Sequence, residues 1–125
     1  GEQGHNDKAL ECYEKSLEIT RRLGDEATTA MTLGCIGIVY FKQGDNDKAL
    51  EYYEKSLEIA RRLGDRATTA ATLYKMSFLQ EKKGDLAKAI ECQRQATEIG
   101  KLLGMANAKE YEKRLAELEK KAAGK

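Results

Sequence analysis

The chain has 125 residues, of which 34% are charged and 41% are hydrophobic. Its 22 basic and 21 acidic residues leave a formal net charge of +1, so the charge balance excludes the basic footprint expected for binding nucleic acid or an anionic membrane surface. No apolar run approaches the roughly 20 residues that span a bilayer. We therefore expect a cytoplasmic protein whose partners are neither nucleic acids nor membranes.

Two long segments of the chain are near copies of each other. Residues 4–43 and 44–83 are identical at 26 of 40 positions, and a looser third copy begins at Gly84. Self-similarity at a fixed period of this length is typical of a repeat array, in which each unit stacks on its neighbours.

Each copy contains two stretches whose apolar residues recur at helical spacing. In the second copy, Asp45 or Asn46 can cap the start of a helix, and Gly64 can end it in a left-handed conformation. Proline is absent, which favours uninterrupted helices. The same pattern along the chain predicts an all-α fold with six helices, at about residues 6–23, 26–42, 46–63, 66–82, 86–103 and 106–122. Because the connections are short, consecutive helices are expected to lie antiparallel.

One phase of the repeat carries small and aromatic residues at family-specific spacings. The pattern Leu33-x-x-Ile36-Gly37-x-x-Tyr40-x-x-x-Gly44-Asp45-x-x-x-Ala49-x-x-x-Tyr53-x-x-Ser56 resembles the tetratricopeptide repeat. The unit of 40 residues looks like the extended repeat of spindle-orientation adaptors and kinesin light chains. The resemblance implies a right-handed α-solenoid of antiparallel helix pairs that acts as a non-enzymatic protein–protein interaction scaffold.

The last helix departs from this pattern. Glu117 stands where the close-contact positions Gly37 and Ser77 stand, and a packed neighbour there would bury its charge. We interpret residues 106–122 as a capping helix with a polar outer side. The expected organisation is a single repeat domain, 1–125, comprising a half repeat at 4–23, repeats at 26–63 and 66–103, and this cap.

The resemblance also implies a binding surface, because the first helix of each pair lines a concave groove that holds a peptide or a partner helix. Helical spacing alone does not separate a groove face from a core face, so both alternatives stay open for Tyr74 and Phe78. Carried over by spacing, the groove positions are Met31, Gly34, Cys35, Ile38, Phe41, Lys42, Ala71, Tyr74, Lys75, Phe78, Glu81 and Lys82, with Tyr111 and Arg114 from the cap.

A second surface is expected at the first helix. The sequence begins just before the second helix of a repeat, which would leave one wall of residues 6–23 uncovered at Leu10, Tyr13, Leu17 and Ile19. The chain is then either a fragment of a longer array or a homo-oligomer that self-associates through this edge. Self-association is the alternative function.

The residues that usually carry chemistry are sparse. There is one histidine, His5, and the three cysteines form no CxxC pair, so we expect no metal site. No nucleophile–base pairing and no phosphate-binding loop is evident, so we expect no catalysis and no cofactor. Cys12, Tyr52 and Cys92 occupy equivalent positions, which indicates half-buried packing residues and free thiols.

Overall fold

The computed structural model describes residues 2–124, and in that range every regular element is an α-helix. The all-α fold class is therefore confirmed. The helices are α1 (Glu2–Leu23), α2 (Glu26–Lys42), α3 (Asn46–Leu63), α4 (Arg66–Lys82), α5 (Leu86–Leu103) and α6 (Ala108–Ala123).

The bounds of α2 to α5 coincide with those expected from the sequence, whereas three other boundaries differ. Helix α1 begins at Glu2, four residues early, because Gly4 does not adopt the positive φ of the turn glycines and nothing else breaks the helix there. Helix α6 begins at Ala108, two residues late, and ends at Ala123, one residue late. Met105 stands where the other four turns carry a capping aspartate, and two turn residues follow before the helix starts.

Each of the five turns contains a glycine, and in four of them an aspartate follows it directly. Glycines 24, 44, 64, 84 and 104 have φ between 64° and 87°, a region that only glycine enters without steric cost. The following aspartate caps the next helix at four of these turns. At α3 the cap is Asp45, which accepts a bond of 3.2 Å from the amide of Lys48.

The chain forms two compact units, Gly1–Gly64 and Asp65–Lys125. In the first unit α2 packs against both α1 and α3. Its core contains Leu17 from α1 with Leu33 and Ile36 from α2, and Tyr40 and Tyr52 pack against them. In the second unit α5 packs against both α4 and α6.

The closest approach in the first unit is between α2 and α3. A Cβ atom at Gly37 would lie 2.6 Å from two ring atoms of Tyr53 and 3.3 Å from the carbonyl oxygen of Ala49. Ala49 is 0% exposed and Tyr53 is 2% exposed, and burial raises the pKa of Tyr53 to about 12. Small residues on both helices therefore admit the tyrosine ring, as the pattern predicted.

The second unit solves the same contact with hydrogen bonds. Ser77 and Gln93 replace Gly37 and Tyr53. The Ser77 hydroxyl lies 2.7 Å from the carbonyl oxygen of Tyr74 and 3.1 Å from the Gln93 side-chain oxygen, and its single proton can be donated to either. The amide nitrogen of Gln93 donates to Thr97 and to the carbonyl of Tyr111, both at 3.3 Å. Both polar atoms of the Gln93 side chain therefore have hydrogen-bond partners within reach, as buried amides generally do.

Candidate functional site

An aromatic cluster joins α4 and α6 in the second unit. The rings of Tyr74 and Tyr111 stack with centroids 4.6 Å apart, and Phe78 meets Tyr74 edge-on at 5.0 Å. The guanidinium carbon of Arg114 lies 3.7 Å from the centre of the Phe78 ring, close enough for a cation–π interaction. One turn separates Tyr74 from Phe78 on α4, so helical geometry places both rings on one face.

A salt-bridge network continues this surface. The Arg114 guanidinium lies 3.0 Å from a carboxylate oxygen of Glu81, whose other oxygen pairs with Lys121. The hydrogen bond from Lys121, with that from Arg114, holds the pKa of Glu81 below its usual range. The Arg114 side chain is only 10% exposed. The Nε atom of Arg114 lies 3.4 Å from the hydroxyl of the buried Ser77, and its guanidinium also contacts the more accessible Phe78.

Part of this cluster is open to a ligand. Phe78 is 36% exposed and Tyr74 is half-buried, with its hydroxyl donating to Glu110 at 3.1 Å. Burial and then Glu110 raise the pKa of Tyr74, so its hydroxyl stays protonated at neutral pH. We call the surface formed by Tyr74, Phe78, Glu81 and Arg114 the aromatic face. It offers an apolar ring edge beside fixed charges.

The remaining predicted groove residues of the second unit are spread around the aromatic face. Ala71 and Lys75 are half-buried and Lys82 is exposed. Tyr111 is 1% exposed, because its ring fills the space beside Gly100, where a Cβ atom would lie 3.1 Å away. Tyr111 is thus a core residue, and its ring stacks on the ring of Tyr74.

The predicted groove residues of the first unit lie along α2. Met31 is 64% exposed and Lys42 is also exposed, whereas Cys35, Ile38 and Phe41 are half-buried. Gly34 is buried and would bring a Cβ atom to 3.7 Å from the Ser56 hydroxyl. Met31 is the most accessible apolar side chain of this set.

The predicted edge on α1 needs correction at one residue. Leu17 is 7% exposed and belongs to the core with Leu33 and Ile36, so it does not line an uncovered wall. Leu10 and Tyr13 are partly buried against that core, and Ile19 is 55% exposed. The side chains of α2 and α3 cover more of α1 than the sequence predicted.

The expectation for the cysteines is also wrong at one position. Cys35 and Cys92 are half-buried free thiols, but Cys12 is exposed. Its counterpart Tyr52 stacks on Tyr40 of α2 with ring centroids 5.6 Å apart.

Sequence reasoning missed the polar partners of the aromatic face. Glu110 and Lys121 bond to residues 36 and 40 positions away, and no local spacing signals such pairs. It also missed a cleft between α5 and α6. The exposed Leu102 lies in this cleft, which is lined by Arg94, Thr97, Glu98, Lys101, Leu102 and Leu115.

Among the side chains of residues 3–124, no three histidine, cysteine, aspartate or glutamate residues cluster in a way that could hold a metal ion. Across residues 2–124, none of the helices combines the length and the apolar character needed to cross a membrane.

Comparisons with known proteins agree with this architecture. One of the solved structures that match is the crystal structure of BtubC (BKLC) from P. vanneervenii, with a TM-score of 0.85 and 23% sequence identity. The match covers 96% of this chain and 51% of that chain, so this chain spans about half the length of that protein. The likeness shows the fold, an all-α helical repeat solenoid. No curated protein matches the chain.

Family models identify the repeats directly. One model, described as tetratricopeptide repeat, matches residues 28–101, and a second with the same description matches residues 1–22. The first match alone covers more than half of the chain. The chain therefore belongs to the tetratricopeptide repeat family.

Proposed function

We propose that this protein is a non-enzymatic interaction module that binds a peptide or a helix of a partner protein on the aromatic face. Tetratricopeptide repeats generally mediate protein–protein interaction. The observation that supports the particular surface is the exposure of Phe78, which is held between Tyr74 and Arg114. A large aromatic residue held rigidly at a surface is the kind of residue that dominates binding energy in protein interfaces.

The arrangement favours a partner segment that brings an apolar side chain to Phe78. Tyr74 and Arg114 already hold the Phe78 ring, so little side-chain entropy would be lost on binding. The guanidinium of Arg114 also carries the salt bridge to Glu81. Because Arg114 contacts both Phe78 and Glu81, a partner that contacts Phe78 would also affect the salt bridge between Arg114 and Glu81.

The proposal also covers enzymatic activity, the type of repeat, the domain organisation and the cellular location. The tetratricopeptide repeat is a non-catalytic interaction repeat, and we propose no enzymatic activity for this chain. We further propose that its repeats are of the extended type with a period of 40 residues, grouped as one domain with residues 106–122 as a cap. A cytoplasmic location is part of the same proposal.

A pulldown from an extract of the native source, with the full chain as bait, tests this function. Each recovered partner is then titrated against the chain to measure its affinity. The matched variants are Phe78→Ala and Leu102→Ala. Leu102 is 71% exposed on α5, away from the aromatic face. We expect Phe78→Ala to weaken binding at least about tenfold, the order expected for an interface anchor, and Leu102→Ala to leave it unchanged. Equal affinities for both variants and the unaltered chain would refute the assignment.

Self-association through α1 is the second candidate function. Ile19, which is 55% exposed, supports this candidate, whereas Leu17 is buried and does not contribute to the surface. Light scattering of the full chain over a range of concentrations tests it. A growing dimer fraction is expected if this candidate is correct, and a monomer at every concentration would exclude it.

A further inference from the structure

The two near copies in the chain diverge in the segment that builds the aromatic face. Residues 4–33 and 44–73 are identical at 25 of 30 positions, whereas residues 34–43 and 74–83 are identical at only one of ten. The divergent segment of the second copy supplies three residues that contact Arg114, namely Ser77, Phe78 and Glu81.

The first unit shows that the repeat itself does not need these three side chains. Their counterparts there are Gly37, Ile38 and Phe41, none of which is charged. Helices α2 and α3 nevertheless pack closely in that unit. The residues around Arg114 are therefore a property of the second unit, and helix packing alone does not account for them.

The guanidinium of Arg114 has one strong polar contact among the described residues. Its Nη1 atom lies 3.0 Å from a carboxylate oxygen of Glu81, which makes the contact charge-assisted. Its Nε atom lies 3.4 Å from the Ser77 hydroxyl, longer than a typical N–H···O hydrogen bond. Its Nη2 atom is buried and has no hydrogen-bond partner in the described part of the chain. Glu81 is therefore the contact that fixes this guanidinium.

The contact between Arg114 and Glu81 is shielded from solvent, unlike most ion pairs of this chain. The two side chains are 10% and 22% exposed, and the second oxygen of Glu81 is held by Lys121. The pair of Glu18 and Arg22 on α1, by contrast, has side chains that are 68% and 73% exposed. Exposed pairs of that kind contribute little and are screened by salt, whereas a partly buried pair can hold a side chain in place.

We infer that Glu81 is a positioning residue of the aromatic face, because it holds the Arg114 guanidinium on the Phe78 ring and thereby fixes the ring for a partner. This role rests on the proposed function of that face. A guanidinium 3.7 Å from the ring centre restrains the ring through a cation–π contact. A ring that is already restrained loses less side-chain entropy when a partner binds.

Fluorine NMR of the full chain tests this role without a partner. The chain contains two phenylalanines, so labelling with 4-fluorophenylalanine gives two signals, and Phe41 in the first unit supplies an internal reference. Phe78→Leu assigns the signals. The test variants are Glu81→Gln, Arg114→Met and their combination. The control is Glu117→Gln at an exposed position of α6.

We expect Glu81→Gln to move the Phe78 signal towards its position in Arg114→Met, because the cation leaves the ring in both variants. In the Arg114→Met background, Glu81→Gln should add no further shift, and Glu117→Gln should leave the signal in place. An unmoved signal in Glu81→Gln would overturn the inference. An equal shift in both backgrounds would also overturn it, since Glu81 would then act without Arg114. If Arg114→Met does not fold, the shift of Glu81→Gln relative to Glu117→Gln decides.

The affinity of a partner recovered on the full chain distinguishes this role of Glu81 from the proposed function. Glu81→Gln should weaken binding about threefold to tenfold, which is less than the effect of Phe78→Ala. Unchanged affinity for Glu81→Gln together with weakened binding by Phe78→Ala would overturn the inference and keep the proposed function. Unchanged affinity for Phe78→Ala would refute the proposed function and the inference with it.

Discussion

The ring of Tyr53 occupies the volume that any side chain at Gly37 would need, with two ring atoms 2.6 Å from the position of an added Cβ atom. Tyr53 is 2% exposed, so its ring is enclosed by neighbouring residues. The pairing of a small residue with a large ring is thus the contact that brings α2 and α3 together.

We predict that Gly37→Ala lowers the free energy of unfolding by about 1–3 kcal/mol, because the added methyl group overpacks the contact with Tyr53. The gain of about 1 kcal/mol from helix propensity opposes this loss. Gly34→Ala is the matched control in the same helix, since its Cβ atom meets only the Ser56 hydroxyl at 3.7 Å. It should be neutral or slightly stabilising. Equal melting temperatures for the two variants would contradict the packing described.

We predict that Ser77 and Gln93 are energetically coupled. Gln93→Tyr alone should destabilise the second unit by about 1–3 kcal/mol, because the larger ring would meet the side chain of Ser77. Ser77→Gly alone removes the hydroxyl that can donate to the Gln93 side-chain oxygen or to the Tyr74 carbonyl, and it should cost about 1–3 kcal/mol. The double variant recreates the pair found in the first unit and should be more stable than the sum of the single effects predicts. A double-mutant cycle by chemical denaturation measures this, and additive effects would argue against it.

We predict a pH-dependent contribution from Glu81. Lys121 and Arg114 hold its pKa below the usual 4.5, so its charged form is favoured by folding. This stabilisation is present above pH 4.5 and is lost as the pH falls through the lowered pKa. Glu81→Gln should therefore reduce the free energy of unfolding at pH 7 and have a smaller effect at about pH 3. The control is Glu117→Gln at an exposed position, which should change the free energy of unfolding little at either pH. An effect of Glu81→Gln that is independent of pH would contradict this explanation.

We predict that Phe78 contributes more to binding than to folding. Phe78 is 36% exposed and its ring contacts Tyr74 and Arg114, so Phe78→Ala should cost about 1–2 kcal/mol, below the 3–5 kcal/mol typical of a buried phenylalanine. Leu79→Ala next to it should cost about 2–5 kcal/mol, because Leu79 is 0% exposed. Thermal unfolding of the two variants compares them. A loss of about 3–5 kcal/mol for Phe78→Ala would make it a core residue.

The sequence was sufficient for the helices and their turns, because local signals determine them. Gly64 and Asp65, for example, end one helix and cap the next. The start of α6 was misplaced because Met105 stands where the other four turns carry a capping aspartate. The helix begins only after Asn107, whose side chain forms no cap bond.

Long-range side-chain contacts were beyond sequence reasoning. Ser77 and Gln93 looked like a weakened match to the repeat pattern, but the fold converts them into a hydrogen-bonded pair. The burial of Leu17 depends on Leu33 and Ile36, which lie on another helix. The aromatic face likewise forms only when α6 brings Arg114 onto Phe78.

Amide hydrogen exchange of the full chain, with and without a recovered partner, tests the proposed binding surface most directly. The account predicts that the partner slows exchange in α4 and α6 around Tyr74, Phe78 and Arg114. Slowed exchange confined to α5 around Arg94 and Lys101, with α4 and α6 unaffected, would contradict it.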